Sequence, residues 1–263
     1  IKNCNINNYA RGIYLRNLGY LHGNNGKTMI INNTITNVDR GIFVENSIKD
    51  SINIIKNTIL NSTDDGITLI EVISGVYNTI SNNTIGYILD DGIRTHMNNT
   101  DITNNLIFNT SDKAIELIGD SDTNNKNINI SGNSIFNVSN PLYGAIRFDY
   151  IINSTINNNE IYNYSFAFNC INSYNITIKN NIIKVYDKLI IYSDNCYVIF
   201  INNSANEIFG YQLSGGEAIS ILKYYLSTTI NDQNNNPIPN AIVTVYDNNK
   251  SIEWNLTTDS NGQ

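Results

Sequence analysis

The sequence predicts an all-β solenoid of about eight coils of 22–31 residues, and three regularities carry that prediction. First, an isoleucine is followed three residues later by asparagine and two after that by isoleucine. This happens at Ile30-Asn33-Ile35, Ile54-Asn57-Ile59, Ile80-Asn83-Ile85, Ile102-Asn105-Ile107, Ile130-Asn133-Ile135, Ile156-Asn159-Ile161 and Ile178-Asn181-Ile183. Second, the motif recurs at a period in the twenties, the signature of stacked repeats. Third, a small residue and an apolar burst follow each asparagine: Gly41-Ile42, Gly66-Ile67, Gly92-Ile93, Ala114-Ile115, Ala145-Ile146, Ala167-Phe168, then Leu189-Ile190.

Each burst alternates apolar and polar residues, the period of a strand rather than a helix. Isoleucine is β-branched and fits a pleated surface. Asparagine and glycine at the edges suit tight, left-handed corners. Read backwards, the register finds an earlier copy, Ile1-Cys4-Ile6 with Gly12-Ile13-Tyr14-Leu15, which places cysteine in the asparagine slot. Equivalent strands of successive coils run parallel, about 4.8 Å apart. Inward isoleucines then stack coil on coil, and the asparagines form an interior amide ladder. The connection from the small-residue strand to the next motif varies most in length. Residues 16–28 and 118–127 are accordingly candidate partner-contacting loops, the second made acidic by Asp120 and Asp122.

This pattern resembles the single-stranded right-handed parallel β-helix of pectin-degrading enzymes (the pectate-lyase-like or pectin lyase fold) and of surface proteins with parallel β-helix repeats. The resemblance covers roughly residues 1–210, and the β-helix domain is drawn as 1–222. Residues 223–263 carry a different pattern. Asn236-Pro237-Ile238, Asn240-Ala241, Val243, Val245 and a later Thr258-Asp259 with Asn261-Gly262 resemble the opening strands of an immunoglobulin-like or carboxypeptidase-regulatory-like β-sandwich. A whole sandwich needs about 100 residues, so this domain reads as truncated. The chain starts mid-repeat without methionine and reads as a piece of a longer protein. The layout is similar to adhesin-like proteins of methanogenic archaea and bacterial surface proteins. That resemblance implies an extracellular or cell-surface location, a secreted chain, further Ig-like domains, and a polysaccharide or host-cell glycan as partner.

Composition narrows the function. Asparagine makes up 52 of 263 residues, charged residues 15%, and the net charge is −7. No basic stripe is present, which excludes the electrostatic footprint of nucleic-acid binding. No run of eighteen apolar residues predicts a transmembrane helix. Cys4, Cys170 and Cys196 read as buried free thiols, since Cys170 aligns one coil later with Tyr192 and not with Cys196. His22 and His96 are too isolated to form a metal cage. Thirteen Asn-x-Ser/Thr sequons follow from the duplicated repeat, and seventeen tyrosines serve as strand formers or outward sugar-stacking rings.

Aligning the coils on the small residue exposes a column of aspartates two positions before it: Asp39, Asp64, Asp90 and Asp112. Asp65 and Asp91 double it, and Arg94, Glu116 and Arg147 line up two positions after it. Stacked carboxylates raise one another's pKa and either share a proton or bind calcium. Asp39, Asp64, Asp90 and Asp112 are therefore candidate calcium ligands; no other cofactor is expected. Asp64, Asp65, Asp90, Asp91, Arg94 and Arg147 are candidate catalytic residues on the alternative that the chain is a polysaccharide lyase or hydrolase acting on acidic glycans. Resemblance to pectate lyases implies calcium against a uronate with an arginine base; resemblance to polygalacturonases implies clustered aspartates as acid and base. The chain departs from the latter in lacking Asn-Thr-Asp, His-Gly and Arg-Ile-Lys motifs. The competing reading is turn chemistry, with aspartate bonding its own backbone and glycine taking the corner. The leading expectation is a non-catalytic stalk or glycan-binding rod.

Overall fold

The computed structural model describes residues 1–18, 26–46, 51–70, 77–121, 125–138, 144–192, 194–205, 211–212, 217–223, 229–246 and 252–261. Parts of both candidate partner-contacting loops, Asp122 among them, lie outside the described residues. The chain divides into two compact units, Ile1–Lys223 and Tyr224–Gln263. Among the described residues no helix is long and apolar enough to cross a membrane.

The first unit is a right-handed parallel β-solenoid with three strand faces per turn. The first face stacks Asn5–Asn7, Thr34–Val38, Thr58–Ser62, Thr84–Ile88, Leu106–Thr110 and Ser134–Val138. The second stacks Arg11–Arg16, Arg40–Glu45, Ile67–Ile70, Ile93–Thr95, Ile115–Ile118 and Ile146–Asp149. In the later turns the long strands Glu160–Ile171 and Ile182–Tyr192 run through both faces and join them into one sheet. The third face stacks nine strands, from Lys27–Ile31 to Ala218–Lys223. Every one of these pairings is parallel, and Ile35, Ile59, Ile85, Ile107, Ile135, Ile161 and Ile183 pair in direct register.

The interior asparagines are what hold that register. In each turn the backbone N–H and the side-chain Nδ2 both donate to Oδ1 of the asparagine one turn on. The series runs from Asn33 to Asn57, Asn83, Asn105, Asn133, Asn159, Asn181 and Asn203 at 2.8–3.0 Å. Nδ2 also donates to an isoleucine carbonyl across the corner, as Asn105 does to Ile80 at 2.9 Å. A buried amide that satisfies both its ends stabilises; one that loses a partner is costly. The ladder marks seven turns from Asn33 to Asn203, slightly fewer than the eight coils expected. Its last rung was not anticipated: there Phe200 and Ala205 replace the two isoleucines around Asn203.

Asparagine has a second task. Among the described residues nearly every non-glycine residue with positive φ is asparagine, the exceptions being Lys56, Tyr87 and Tyr150. Asparagine tolerates the left-handed region because its short amide bonds locally. Corner residues such as Asn32, Asn82, Asn104, Asn158, Asn180 and Asn202 precede the ladder rungs, and Asn37, Asn61, Asn109, Asn137 and Asn163 close the first face. The asparagine richness is therefore a product of interior rungs and corners together.

Two expectations about cysteine fail. Cys170 and Cys196 form a disulfide. Cys196 pairs in register with Ser173, three residues past Cys170, so the two cysteines meet across the corner between the second and third faces. Comparing Cys170 only with its same-face equivalent Tyr192 hid that neighbour. Cys4 is free, but exposed rather than buried. Its backbone N–H still occupies the ladder slot, donating to Asn33 Oδ1 at 2.9 Å.

In the second unit, Ile242–Tyr246 pairs antiparallel with Ile252–Thr257. Thr258, buried beside this hairpin, donates to the Ile238 carbonyl at 2.7 Å and accepts from the Ala241 N–H at 2.8 Å.

Candidate functional site

The aspartate column lies at the corner between the first and second faces. Backbone bonds tie this corner from turn to turn: Asp64 N–H donates to the Asp39 carbonyl, Gly41 N–H to that of Asp65, and Gly66 N–H to that of Asp91. The glycines are required by close approach. A Cβ on Gly41 would lie 2.2 Å from the Gly66 carbonyl oxygen, and one on Gly66 2.7 Å from that of Gly92. Turns packed this tightly bring their carboxylates together. The oxygens of Asp64, Asp65 and Asp90 form one group within 4.8 Å of one another, and those of Asp90, Asp91 and Asp112 form a second. Asp39 joins neither group; its carboxylate accepts from the Thr63 hydroxyl at 3.0 Å. Of the four candidate calcium ligands, Asp64, Asp90 and Asp112 therefore fall in these groups and Asp39 in neither.

The carboxylates sort into two rows. The inner row is buried and built into the corner. Asp65 accepts from the Thr68 hydroxyl at 2.7 Å and from the Asp91 N–H at 3.3 Å. Asp91 in turn accepts from the Lys113 N–H at 3.0 Å. Each inner carboxylate therefore caps the backbone of the next turn, as the asparagine rungs do. Burial raises the Asp65 carboxyl to about 6, the Thr68 hydrogen bond opposing. Burial, followed by the charge of Glu116, pushes Asp91 far above the usual carboxylate range.

The outer row, Asp64, Asp90 and Asp112, is half-buried. Arg40 Nε holds Asp64 at 2.6 Å and Lys113 Nζ holds Asp112 at 2.6 Å. Asp90 accepts the Asp112 N–H on its backbone carbonyl, but among the described residues no hydrogen bond or ion pair holds its carboxylate. Its carboxyl is raised by burial and then by the charges of Asp112 and Asp64.

Beside the column stands a hub that the sequence analysis aligned but did not single out. Glu116, buried, forms ion pairs with Lys113 Nζ at 3.2 Å, Arg94 Nε at 3.2 Å and Arg147 at 3.3 Å. Arg94, Glu116 and Arg147 pair in register across three turns. Burial alone would raise the Glu116 carboxyl, but Lys113 and its other cationic and hydrogen-bonding neighbours hold it below the usual range. Arg147 also reaches Asp149 at 2.9 Å. Both candidate lyase arginines pair with Glu116, and the Arg94 charge also acts on the Asp65 and Asp90 carboxyls, opposing the rise that burial causes. A lysine three residues before an acid within the same turn, Lys113 and Glu116, was the signal available in sequence.

No protein-family model matches this chain, and no curated protein does either. Solved structures do. Full-length tailspike protein 2 of Escherichia coli O157:H7 bacteriophage CAB120 aligns at TM-score 0.58 and 13% identity, covering 83% of this chain and 32% of the tailspike. The catalytic unit of a thermostable GH87 α-1,3-glucanase from Streptomyces thermodiastaticus aligns at TM-score 0.58 and 18% identity, covering 81% and 52%. The catalytic domain of Agl-KA aligns at 0.54 and 19%, covering 76% and 48%. The likeness is one of fold. This chain spans from about a third to about half the length of the structures it matches.

Proposed function

We propose that this chain is a polysaccharide-binding rod of an adhesin-like, secreted or cell-surface protein, with saccharide hydroxyls bound on the outer carboxylate row. The observation that carries the reading is Asp90. A half-buried carboxylate between two others, with no partner of its own among the described residues, has lone pairs to offer sugar hydroxyls. Asp64 and Asp112 are steadied by Arg40 and Lys113 and flank it one turn either way. Two further observations support the setting. The buried Cys170–Cys196 disulfide fits an oxidising, extracytoplasmic compartment. A glucanase among the structural matches acts, by its name, on an α-1,3-glucan, which makes that polymer a natural probe. The antiparallel hairpin of the second unit fits the opening of an Ig-like sandwich, with further such domains in the full protein.

The test is retention of the chain on insoluble α-1,3-glucan and on polygalacturonate, with and without calcium, set against the Asp90→Asn variant. Retention that weakens in the variant is expected. Equal retention of both proteins, or none of either, contradicts the proposal.

A second reading, hydrolysis or lysis of the bound glycan, is favoured by one observation. Asp65, raised to about 6, shares a carboxylate group with Asp64 and Asp90, and separated pKa values are how paired carboxylates divide acid and base roles. Reducing ends or unsaturated products that vanish in Asp65→Asn would move the assignment to that reading. The inner row's bonds to backbone N–H groups favour the binding rod.

A further inference from the structure

We infer that the first turns carry a second saccharide contact, an arginine–aromatic platform of Arg11, Tyr14, Arg40 and Phe43 that takes a carboxylated sugar unit of the bound polysaccharide. This rests on the polysaccharide-binding reading of the outer carboxylate row and extends it to a uronate-bearing ligand.

On the outward side of the second face Arg11 and Tyr14 are exposed, while Phe43 is buried against the Arg40 guanidinium and serves as the floor of the platform. Arg11 pairs in register with Arg40, and Tyr14 with Phe43. The two rings stack, with centroids 5.4 Å apart and planes 12° from parallel. The Arg11 guanidinium lies 4.2 Å from the centre of the Tyr14 ring, and that of Arg40 4.8 Å from the centre of Phe43. A guanidinium laid on an aromatic face keeps its in-plane N–H fork free, which is the geometry that grips a carboxylate through two parallel hydrogen bonds.

The charges here do not cancel. Like charges directly opposite on neighbouring strands destabilise the pair. Arg40 is answered by Asp64 at 2.6 Å, and nearby Arg16 by Glu45 at 3.1 Å, a glutamate that also accepts from the Tyr14 hydroxyl. Arg11, exposed, has ring contacts and no carboxylate partner among the described residues. A cationic fork left over on a chain of net charge −7 marks a place for an anion from outside.

Continuity with the outer row points to a sugar carboxylate. Arg40 belongs to both sites through Asp64. Arg11 and Asp90 lie three turns apart on the same corner, about 14 Å at the spacing of parallel strands. One short oligosaccharide lying along the axis would place a carboxylate on the arginines and hydroxyls on Asp90.

The test titrates the full chain by calorimetry with oligogalacturonate and with a neutral α-1,3-gluco-oligosaccharide of equal length. Arg11→Gln should weaken oligogalacturonate about tenfold, the scale of one charge-assisted hydrogen-bonded contact, and leave the neutral sugar within about twofold. Arg11→Lys, which keeps the charge and loses the planar fork, should fall between. Asp90→Asn should weaken both ligands. An unchanged melting temperature for Arg11→Gln checks that the exposed substitution leaves the fold intact. If the neutral sugar binds as tightly as the uronate, or Arg11→Gln affects both equally or neither, the platform is overturned while the rod reading stands. If the native chain binds neither ligand, both fall.

Discussion

Asn105→Ala is the sharpest perturbation of this fold, because the rung is buried and its partners are known. Its Oδ1 accepts both the N–H and the Nδ2 of Asn83 at 2.9 Å, and its Nδ2 donates to Asn133 and to the Ile80 carbonyl. Alanine leaves the Asn83 N–H without an acceptor and the Ile80 carbonyl without its amide donor, while Asn133 Oδ1 keeps the residue-105 N–H. Each buried polar group stranded in this way costs about 1–3 kcal/mol, so the two together should cost about 2–6 kcal/mol. That is a large share of the roughly 5–15 kcal/mol that stabilises a typical domain. Asn203 is the control. It makes the same ladder contact with Asn181 but is only half-buried, so water can replace the lost amide. Asn203→Ala should cost about 1 kcal/mol, the net worth of an ordinary hydrogen bond. Urea unfolding of both variants at equal slope gives the comparison directly. Equal losses at the two positions, or a loss below about 1 kcal/mol at Asn105, would refute the reasoning that a continuous interior ladder sets the register.

The other predictions concern the corner and the disulfide. Glu116→Ala removes the carboxylate that three cations share. Lys113 keeps Asp91 and Asp112 and Arg147 keeps Asp149, so the expected cost is that of Arg94 losing its ion-pair partner, about 1–3 kcal/mol, read by the same urea titration. Asp65 holds its proton more tightly folded than unfolded, so its contribution to stability falls as pH climbs from its unperturbed 3.8 through about 6. Asp65→Asn should flatten that part of the melting-temperature profile against pH; an unchanged profile contradicts the assignment. Reducing Cys170–Cys196, which closes a 26-residue separation, should lower stability by about 3 kcal/mol. Amide exchange should then quicken in the later turns and not around Asn57; uniform quickening would contradict a local staple.

Much of this fold was legible because stacking turns a linear period into a spatial column. The isoleucine and asparagine slots, the aspartate column and the Arg94-Glu116-Arg147 row all follow from counting along the chain. What counting could not supply is contact between different faces of one corner. Cys170 and Cys196 belong to different columns and meet only where the chain bends. Asn203 was missed because phenylalanine and alanine fill the slots that isoleucine fills elsewhere, although volume and not identity is what the interior requires. The division of the aspartates into a buried row that caps backbone and an outer row open to ligand was equally hidden. Neighbours such as Asp64 and Asp65 look equivalent in sequence, but the bend they occupy buries Asp65 and leaves Asp64 half-exposed. The asparagine excess is positional, as the ladder slots and corners read from the sequence implied, since the left-handed corners select it.

The most direct test of the account is a hydrogen-exchange footprint of the full chain with saturating oligosaccharide. Binding on the outer row and its platform predicts slowed exchange across residues 40–45, 64–68, 90–95 and 112–118, with the third face unchanged. Protection confined to the third-face strands, or none anywhere despite measured binding, would contradict it.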